Sequence, residues 1–204
     1  MIKNYIFDFG NVLARFDPDE LTAVHVGDAN TRKTVSDVVF DRLYWDRLDD
    51  GSITDEEVKS GICSRLPSEL HECACRVYED WIISMPTIKG MDKVVADIKA
   101  RGGKLYLLSN ISIGFAETYT ANPAVKDVLD LFDGLVFSGP IGLAKPHRAI
   151  YEHLLSRFQL TADECLFIDD NAGNIAAAKE VGIHGYLFNG DVDALRKSLF
   201  LEES

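Results

Sequence analysis

Short apolar runs without alternation recur along the chain, and most of them end in polar residues. The first run, residues 5–7, is followed directly by Asp8. Further runs of this kind occupy residues 104–108, 134–137, 165–168 and 185–188. Continuous apolar runs of this length are typical of strands that are buried on both faces of a parallel sheet. The pattern therefore predicts a strand at each of these positions.

Helical periodicity appears between the later runs. Apolar residues recur at helical spacing over Met91–Arg101, Ala149–Phe158 and Ile175–Val181. Strands that alternate with helices predict βαβ units, and therefore an α/β fold with a doubly wound parallel sheet. Ligands of such sheets bind outside the carboxyl ends of the strands. The polar residues that follow the strands are therefore the candidates for chemistry.

Residues 16–86 follow a different pattern, because they contain helical periodicity and no convincing buried strand. The helical patterns cover residues 21–26, 35–48, 55–66 and 70–83. Thr54 followed by Glu57 is the signature of a capping box at a helix start. We predict that residues 1–15 and 87–204 form the α/β core and that residues 16–86 form an inserted helical subdomain.

Composition narrows the class of protein and its partners. The 204 residues include 33 acidic and 21 basic side chains, for a net charge of −12, and 47% are hydrophobic. These proportions are typical of a globular protein, and the acidic balance disfavours nucleic acid or an anionic membrane as a partner. Asp8 interrupts any N-terminal signal sequence, so we expect a cytoplasmic protein. Reduced thiols are expected for its four cysteines, Cys63, Cys73, Cys75 and Cys165.

Four clusters of polar residues follow the predicted strands, and two of them offer a nucleophile and hydrogen-bond donors for a phosphate. Asp8 can attack an electrophile or bind a metal, and Gly10 lets the backbone approach a ligand closely. Ser109 and Asn110 can donate hydrogen bonds to a phosphate oxygen without adding charge. Each cluster has a simpler interpretation as a turn or a helix cap, since these residue types are common there.

The other two clusters carry opposite charges. Lys145 precedes a predicted helix start, where the ammonium group and the helix dipole together favour an anion. An isolated lysine is more often a solvated surface residue. Asp169 and Asp170 end a buried strand side by side, and their carboxylates repel each other unless a cation lies there. Magnesium prefers such oxygen ligands.

Taken together and in this order, the four clusters resemble the four motifs of the haloacid dehalogenase superfamily. The matching segments are Tyr-Ile-Phe-Asp-Phe-Gly-Asn-Val-Leu (5–13), Leu-Leu-Ser-Asn (107–110), Gly-Leu-Ala-Lys-Pro (142–146) and Phe-Ile-Asp-Asp-Asn (167–171). The resemblance is closest to the branch with α-D-glucose-1-phosphate phosphatase and the phosphatase domain of soluble epoxide hydrolase. It implies a Rossmann-like core whose helical insert is a cap of the C1 type.

The resemblance also implies a role for each matching residue. Asp8 would attack phosphorus and form an aspartyl-phosphate. Ser109 and Asn110 would bind the phosphoryl group, and Lys145 would hold it beside the nucleophile. Magnesium would be bound by Asp8, the Gly10 carbonyl and Asp170, with Asp169 in direct or indirect support. The implied reaction is magnesium-dependent hydrolysis of a small phosphorylated metabolite, with a sugar phosphate such as a sugar 1-phosphate as the expected class.

Gly10 departs from the pattern of most phosphatases in this superfamily, which have an aspartate two residues after the nucleophile as the acid and base. Either the leaving group of the substrate needs little protonation, or a residue of the insert supplies the proton. Substrate specificity is expected to lie in the insert, where several polar or aromatic residues could face the site. Taken singly, each of them is best interpreted as insert core or solvated surface. The candidates are Trp45, Asp46, Arg47, Asp49, Tyr44 and Arg15.

Two other functions remain open. A haloacid dehalogenase would use Asp8 to displace halide from carbon without a metal, and the pair of acids at residues 169 and 170 argues against it. A non-catalytic binding protein on the same fold is favoured only by Gly10. The sequence does not predict an oligomeric state.

Overall fold

A parallel sheet of five strands forms the centre of the protein in a computed structural model, which describes residues 1–200. The strands are β1 (Asn4–Phe7), β2 (Lys104–Ser109), β3 (Gly134–Phe137), β4 (Cys165–Asp169) and β5 (His184–Leu187). Their order across the sheet is β3-β2-β1-β4-β5, and every neighbouring pair is parallel. The α/β fold predicted from the apolar runs is confirmed.

Each central strand is buried on both faces, which explains why its sequence does not alternate. Ile6 of β1 lies in one apolar core with Leu108 and Phe167, on one side of the sheet. The next residue, Phe7, lies in the opposite core with Leu107. Because successive side chains of a strand point to opposite faces, a strand in the middle of the sheet needs apolar residues throughout.

Helices cover both faces of the sheet. Those after residue 90 are α6 (Met91–Ala100), α7 (Ile113–Thr118), α8 (Pro123–Leu129), α9 (Ser138–Ile141), α10 (Arg148–Phe158), α11 (Ala172–Glu180) and α12 (Val192–Phe200). The three predicted helices correspond to α6, α10 and α11. The helices α7, α8, α9 and α12 were not predicted from the periodicity.

Five further helices lie between β1 and α6, and we call them the cap helices. They are α1 (Pro18–Ala23), α2 (Ala29–Val39), α3 (Arg42–Asp49), α4 (Asp55–Arg65) and α5 (His71–Ser84). The helices α2 to α5 share a separate apolar core that includes Val39, Leu48, Ile62 and Val77, whereas Leu21 of α1 packs into a core of the sheet. The capping box predicted for Thr54 and Glu57 is present at the start of α4.

The structure corrects one helix boundary in this region. The pattern over residues 35–48 predicted a single helix, but the helix breaks at Phe40 and Asp41. The Asp41 side chain accepts a hydrogen bond of 2.9 Å from the Leu43 backbone N–H and so caps a second helix, α3. An aspartate N-cap satisfies a backbone donor that has no partner within the helix. The segment predicted as one helix is therefore divided between α2 and α3.

Two adjacent chain segments connect the cap helices to the sheet. The Arg15 N–H donates to the Pro86 carbonyl at 2.8 Å, and the Ile88 N–H donates to the Leu13 carbonyl at 2.9 Å. These bonds join the segment after β1 to the segment before α6. The cap helices thereby lie above the carboxyl ends of the strands. Over residues 1–200, the longest apolar helical stretch falls short of what a bilayer span requires.

Candidate active site

The predicted site residues lie together at the carboxyl end of the sheet. Asp8 directly follows the central strand β1, and its N–H donates to the Ile168 carbonyl of β4 at 2.9 Å. A cavity of about 290 Å³ opens there between the sheet and the cap helices. The predicted site residues that line it are Asp8, Gly10, Ser109, Asn110, Lys145 and Asp170. Asp169 is fully buried beside them.

Asp8 is the carboxylate at the floor of this cavity. Its Oδ1 atom accepts a hydrogen bond of 2.7 Å from the Phe9 N–H and lies 2.8 Å from the Lys145 Nζ atom. Burial raises the pKa of Asp8 to about 6, and the nearby Asp169 carboxylate acts in the same direction, whereas Lys145 lowers it. A cation beside Asp8 would favour its ionised, nucleophilic form.

Lys145 is a buried ammonium group held between two carboxylates. Its Nζ atom lies 2.8 Å from Asp8 Oδ1 and 2.8 Å from Asp169 Oδ2. Burial alone would lower the pKa of Lys145, but the two carboxylates outweigh it and raise the pKa above its ordinary value. The side chain is therefore a fixed positive charge, as phosphoryl transfer requires beside the reacting group.

The carboxylate of Asp169 is engaged in hydrogen bonds at both oxygens. Oδ1 accepts from the Asn171 N–H at 2.7 Å and from Asn174 Nδ2 at 3.1 Å. Oδ2 accepts from Lys145 at 2.8 Å and from Asn174 Nδ2 at 3.0 Å. Such a carboxylate positions the lysine ammonium group and has few lone pairs left for a metal.

Three carboxylates approach closely enough to surround a small cation. One oxygen from each of Asp8, Asp169 and Asp170 lies within 4.8 Å of the other two. Asp170 is the exposed member of the three. Its pKa is raised, first by burial of part of the side chain and then by the Asp169 carboxylate. An all-oxygen donor set with excess negative charge suits magnesium.

Ser109 is the last residue of β2 and Asn110 follows it, but their side chains differ in their hydrogen bonds. The Ser109 side chain is almost fully buried and makes no hydrogen bond to another residue within 1–200, so its hydroxyl is free for a ligand. The Asn110 side chain instead holds the lysine loop. Its Nδ2 donates to the Lys145 carbonyl at 2.9 Å, and its Oδ1 accepts from the Lys145 N–H at 2.7 Å.

Gly10 leaves open space at the edge of the cavity. A Cβ atom built on this residue would meet no other atom within 4 Å, and the backbone is not in the left-handed region. The Cβ atom of a larger residue at position 10 would therefore be accommodated without strain. As the sequence indicated, no acid or base is present here.

The haloacid dehalogenase-like hydrolase family matches residues 2–182. The chain belongs to this family. The membership confirms the resemblance carried by the four motifs, whereas the glucose-1-phosphate branch stays a prediction.

Two curated members of the hydrolase family resemble the chain over most of its length. A sesquiterpene phosphatase from Aspergillus oryzae is 27% identical over 90% of this chain and 88% of its own. A D-ribitol-5-phosphate phosphatase from Bacteroides thetaiotaomicron is 26% identical over 91% of each. A family enzyme from the same bacterium, solved with magnesium and inorganic phosphate, superposes with a TM-score of 0.73 over 98% of this chain and 100% of its own, at 21% identity. At this identity the superposition shows a shared fold.

In this hydrolase, one face of α3 forms the cap side of the cavity. The residues are Arg42, Trp45, Asp46 and Asp49, which are spaced i, i+3, i+4 and i+7 along the helix. Residues with this spacing lie on one helical face. The sequence interpretation assigned the last three to core or solvated surface and did not consider Arg42. The predicted helix over residues 35–48 already places Arg42, Trp45 and Asp46 on one face, but the sequence does not show that this face packs toward the strand ends.

The remaining insert candidates lie outside the cavity. Tyr44 is buried in the cap core, with the Arg65 guanidinium 5.7 Å from its ring centre. Arg15 pairs with Glu20 at 2.5 Å on the surface, and Arg47 donates to the Ser52 carbonyl at 3.4 Å. The interpretation of these three as core or solvated surface agrees with the structure.

Aromatic side chains form a second wall of the cavity, of which the sequence analysis considered only Trp45. Trp45 lies at the centre of this group, with ring centres 5.2 Å from Phe16, 5.5 Å from Phe40 and 5.0 Å from Trp81. All four residues line the cavity. They come from α3, α5 and two connecting segments, so no short sequence pattern joins them. The wall offers an apolar surface to an organic group beside the charged floor.

Proposed function

We propose that the protein is a magnesium-dependent phosphatase that hydrolyses a small phosphate ester through an aspartyl-phosphate on Asp8. The observation that carries this proposal is the buried ion pair of Lys145 and Asp8 next to a cluster of three carboxylates. Family membership supports hydrolysis, and the phosphatases among the relatives support a phosphate ester as the substrate.

Each residue of the floor has a role in this proposal. Asp8 attacks phosphorus, while the Ser109 hydroxyl and the Asn110 backbone hold the phosphoryl oxygens. Lys145 neutralises charge between the nucleophile and the phosphate. When bound, magnesium supplies positive charge that balances the phosphate and the acidic floor. Asp8, the Gly10 carbonyl and Asp170 fit as its ligands.

Asp169 is better suited to support than to direct ligation, because both of its oxygens already accept hydrogen bonds. We assign it the task of fixing the Lys145 ammonium group. We likewise propose the division into a core of residues 1–15 and 87–204 and a cap of residues 16–86, with the substrate between them in the cytoplasm.

Two substrate classes fit the cavity. A sugar phosphate is the class implied by the sequence resemblance, and the ribitol-5-phosphate phosphatase among the relatives supports it. The aromatic wall favours a second candidate, a phosphate ester whose organic group is largely apolar. The sesquiterpene phosphatase among the relatives supports this second class. The cavity volume of about 290 Å³ limits either substrate to a small molecule.

Phosphate release from para-nitrophenyl phosphate tests the proposed function. We expect turnover with magnesium, loss of turnover with EDTA, and at least about a 10³-fold loss in Asp8→Asn, because the amide is not a nucleophile. Turnover without magnesium, or turnover that survives Asp8→Asn, would contradict the mechanism. Halide release from a 2-haloacid without phosphatase activity would favour the dehalogenase, and the absence of both activities would favour a binding protein.

A further inference from the structure

The floor of the cavity provides a nucleophile and charge neutralisation but no proton donor for the leaving group. The titratable and basic residues that line it within residues 1–200 are Asp8, Arg42, Asp46, Asp49, Lys145 and Asp170. Histidine, cysteine, tyrosine and glutamate are absent from this lining in the described part of the chain. A general acid that is a side chain of this lining must therefore come from this set.

Most members of the set are committed to other tasks. Asp8 and Lys145 are paired with each other, and Asp170 belongs to the acidic cluster. Arg42 holds its proton permanently, and its Nη2 atom lies 2.9 Å from Asp46 Oδ1 in a solvent-exposed ion pair. Only Asp49, among the described lining residues, remains available to move a proton.

Asp49 has the position and surroundings that this task requires. It is the last residue of α3, on the helical face toward the cavity, opposite the strand ends that carry Asp8 and Gly10. It makes no hydrogen bond or ion pair with another residue in the described range 1–200. A carboxyl group that is partly buried and unpaired next to a phosphate site is free to exchange a proton with the substrate.

We propose that Asp49 is the general acid and base of this site and replaces the side chain that Gly10 lacks. The inference rests on the proposed phosphatase function. In the first half-reaction, Asp8 forms a bond to phosphorus, the bond to the leaving oxygen breaks, and the Asp49 carboxyl group gives that oxygen its proton. In the second, the Asp49 carboxylate takes a proton from the attacking water, the water oxygen forms a bond to phosphorus, and the bond between phosphorus and Asp8 breaks, which releases inorganic phosphate. Both residues return to their initial forms.

The charges around Asp49 support a protonated carboxyl group near neutral pH. Burial is the main cause that raises its pKa to about 7. The carboxylates of Asp46 on the same helix and Asp8 across the cavity add to the effect, whereas Lys145 and Arg42 oppose it. A pKa near the working pH suits a group that donates a proton in one step and accepts one in the next.

Substrates with different leaving groups test the proposal in Asp49→Asn. An alkyl phosphate such as phenylpropyl phosphate needs a proton on its leaving oxygen, and its turnover should fall by about 10²–10⁴-fold. Para-nitrophenyl phosphate has a good leaving group and should still phosphorylate Asp8. We expect a burst of about one nitrophenolate per protein, followed by slow turnover, because the water lacks a base. Intact-mass spectrometry should detect the accumulated phosphoprotein.

Asp37→Asn is the control, because Asp37 is an exposed aspartate of α2 that lies outside the cavity and is paired with Lys33. It should keep alkyl phosphate turnover within about tenfold of wild type and show no burst. The double variant Gly10→Asp/Asp49→Asn should turn over the alkyl phosphate at least about tenfold faster than Asp49→Asn alone, because a Cβ atom at position 10 meets no other atom within 4 Å. A double variant no more active than Asp49→Asn would count against the proposal.

The pH profile supplies an independent readout. Wild-type turnover of the alkyl phosphate should fall as the pH rises above about 7, where Asp49 loses its proton. That decline should be absent from Asp49→Asn. If Asp49→Asn keeps alkyl turnover within about threefold, or folds normally and gives no burst, Asp49 is not the acid and base. The phosphatase function itself fails only if the wild type releases no phosphate or Asp8→Asn stays active.

Discussion

Lys145 donates a hydrogen bond of 2.8 Å to Asp169, a carboxylate with no solvent-exposed surface. The next residue, Asp170, has different surroundings, because its carboxylate is exposed to the cavity. Both acids belong to the cluster that they form with Asp8. One acid of the pair fixes the ammonium group, and the other is free to bind a cation. Two matched substitutions separate these tasks.

Asp169→Asn should reduce stability more than Asp170→Asn does. Loss of the buried charge leaves the Lys145 ammonium group with one carboxylate in place of two, and breaking a buried ion pair typically costs about 3–5 kcal/mol. Asp170→Asn removes a negative charge that the other carboxylates repel, so the free energy of unfolding of this variant should match or exceed that of wild type. Urea unfolding in EDTA measures both differences.

Magnesium affinity should show the opposite order. Asp170→Asn removes an accessible ligand oxygen and should weaken magnesium binding at least about tenfold, as ligand loss commonly does. Asp169→Asn should weaken it less, since the oxygens of Asp169 already accept hydrogen bonds. Calorimetric titration with magnesium checks the order. Equal losses in the two variants would show that Asp169 is itself a ligand.

Asp49 should make the metal-free protein less stable as the pH rises. Its pKa is about 7 in the folded protein, against an ordinary aspartate value of 3.8, and burial is the main cause. Between these values the folded chain binds more protons than the unfolded chain, so the free energy of unfolding falls with increasing pH. From about pH 4 to pH 8, wild type should lose roughly 2–4 kcal/mol relative to Asp49→Asn.

Urea unfolding at several pH values in EDTA measures this difference, with Asp46→Asn as the control. Asp46 is exposed and ion-paired, so its substitution should leave most of the pH dependence in place. Parallel stability curves for wild type and Asp49→Asn would mean that the carboxyl group of Asp49 is not protonated preferentially in the folded state.

Gly51→Ala should disturb the contact between the cap helices and the core. A Cβ atom at Gly51 would lie 2.5 Å from the Gly139 carbonyl oxygen, and the residue has a φ of +72°. Both effects oppose a side chain, so we expect a loss of about 1–3 kcal/mol in stability and a lower kcat/KM. Gly27→Ala is the matched cap control, because its Cβ would meet nothing within 4 Å. Equal behaviour of the two variants would show that the Gly51 contact does not position the cap.

The sheet and the floor of the site were predictable because both depend on short local patterns. Each apolar run specifies its own strand, and parallel pairing then brings the strand ends together, so Asp8 and Asp170 meet without further information. The capping box at Thr54 was predictable for the same reason. These features require only a few consecutive residues.

The wall of the site was not predictable, because its residues depend on packing between distant segments. The break at Phe40 and Asp41 makes α3 a separate helix, and the packing of α3 over the strand ends has no signature in the sequence. The task of the Asn110 side chain was missed as well, since its partner is the backbone of Lys145. Hydrogen bonds to a distant backbone leave no pattern in the sequence.

Trp45→Ala should distinguish the two substrate classes that fit the cavity. Trp45 packs against Phe16, Phe40 and Trp81 and presents an apolar surface to the organic group of the substrate. If that group is apolar and contacts the wall, its loss should lower kcat/KM by about tenfold, or about 1.4 kcal/mol, for a prenyl phosphate. Ethyl phosphate is too small to reach the wall, so its kcat/KM should change by less than about twofold.

Trp45→Phe is the control for this prediction. It keeps an aromatic surface and should retain most of the prenyl phosphate activity, and unfolding measurements confirm that each variant is folded. Equal losses of kcat/KM with prenyl phosphate and ethyl phosphate would mean that Trp45 acts through the packing of the cap helices. A loss that is confined to a sugar phosphate would favour the sugar class.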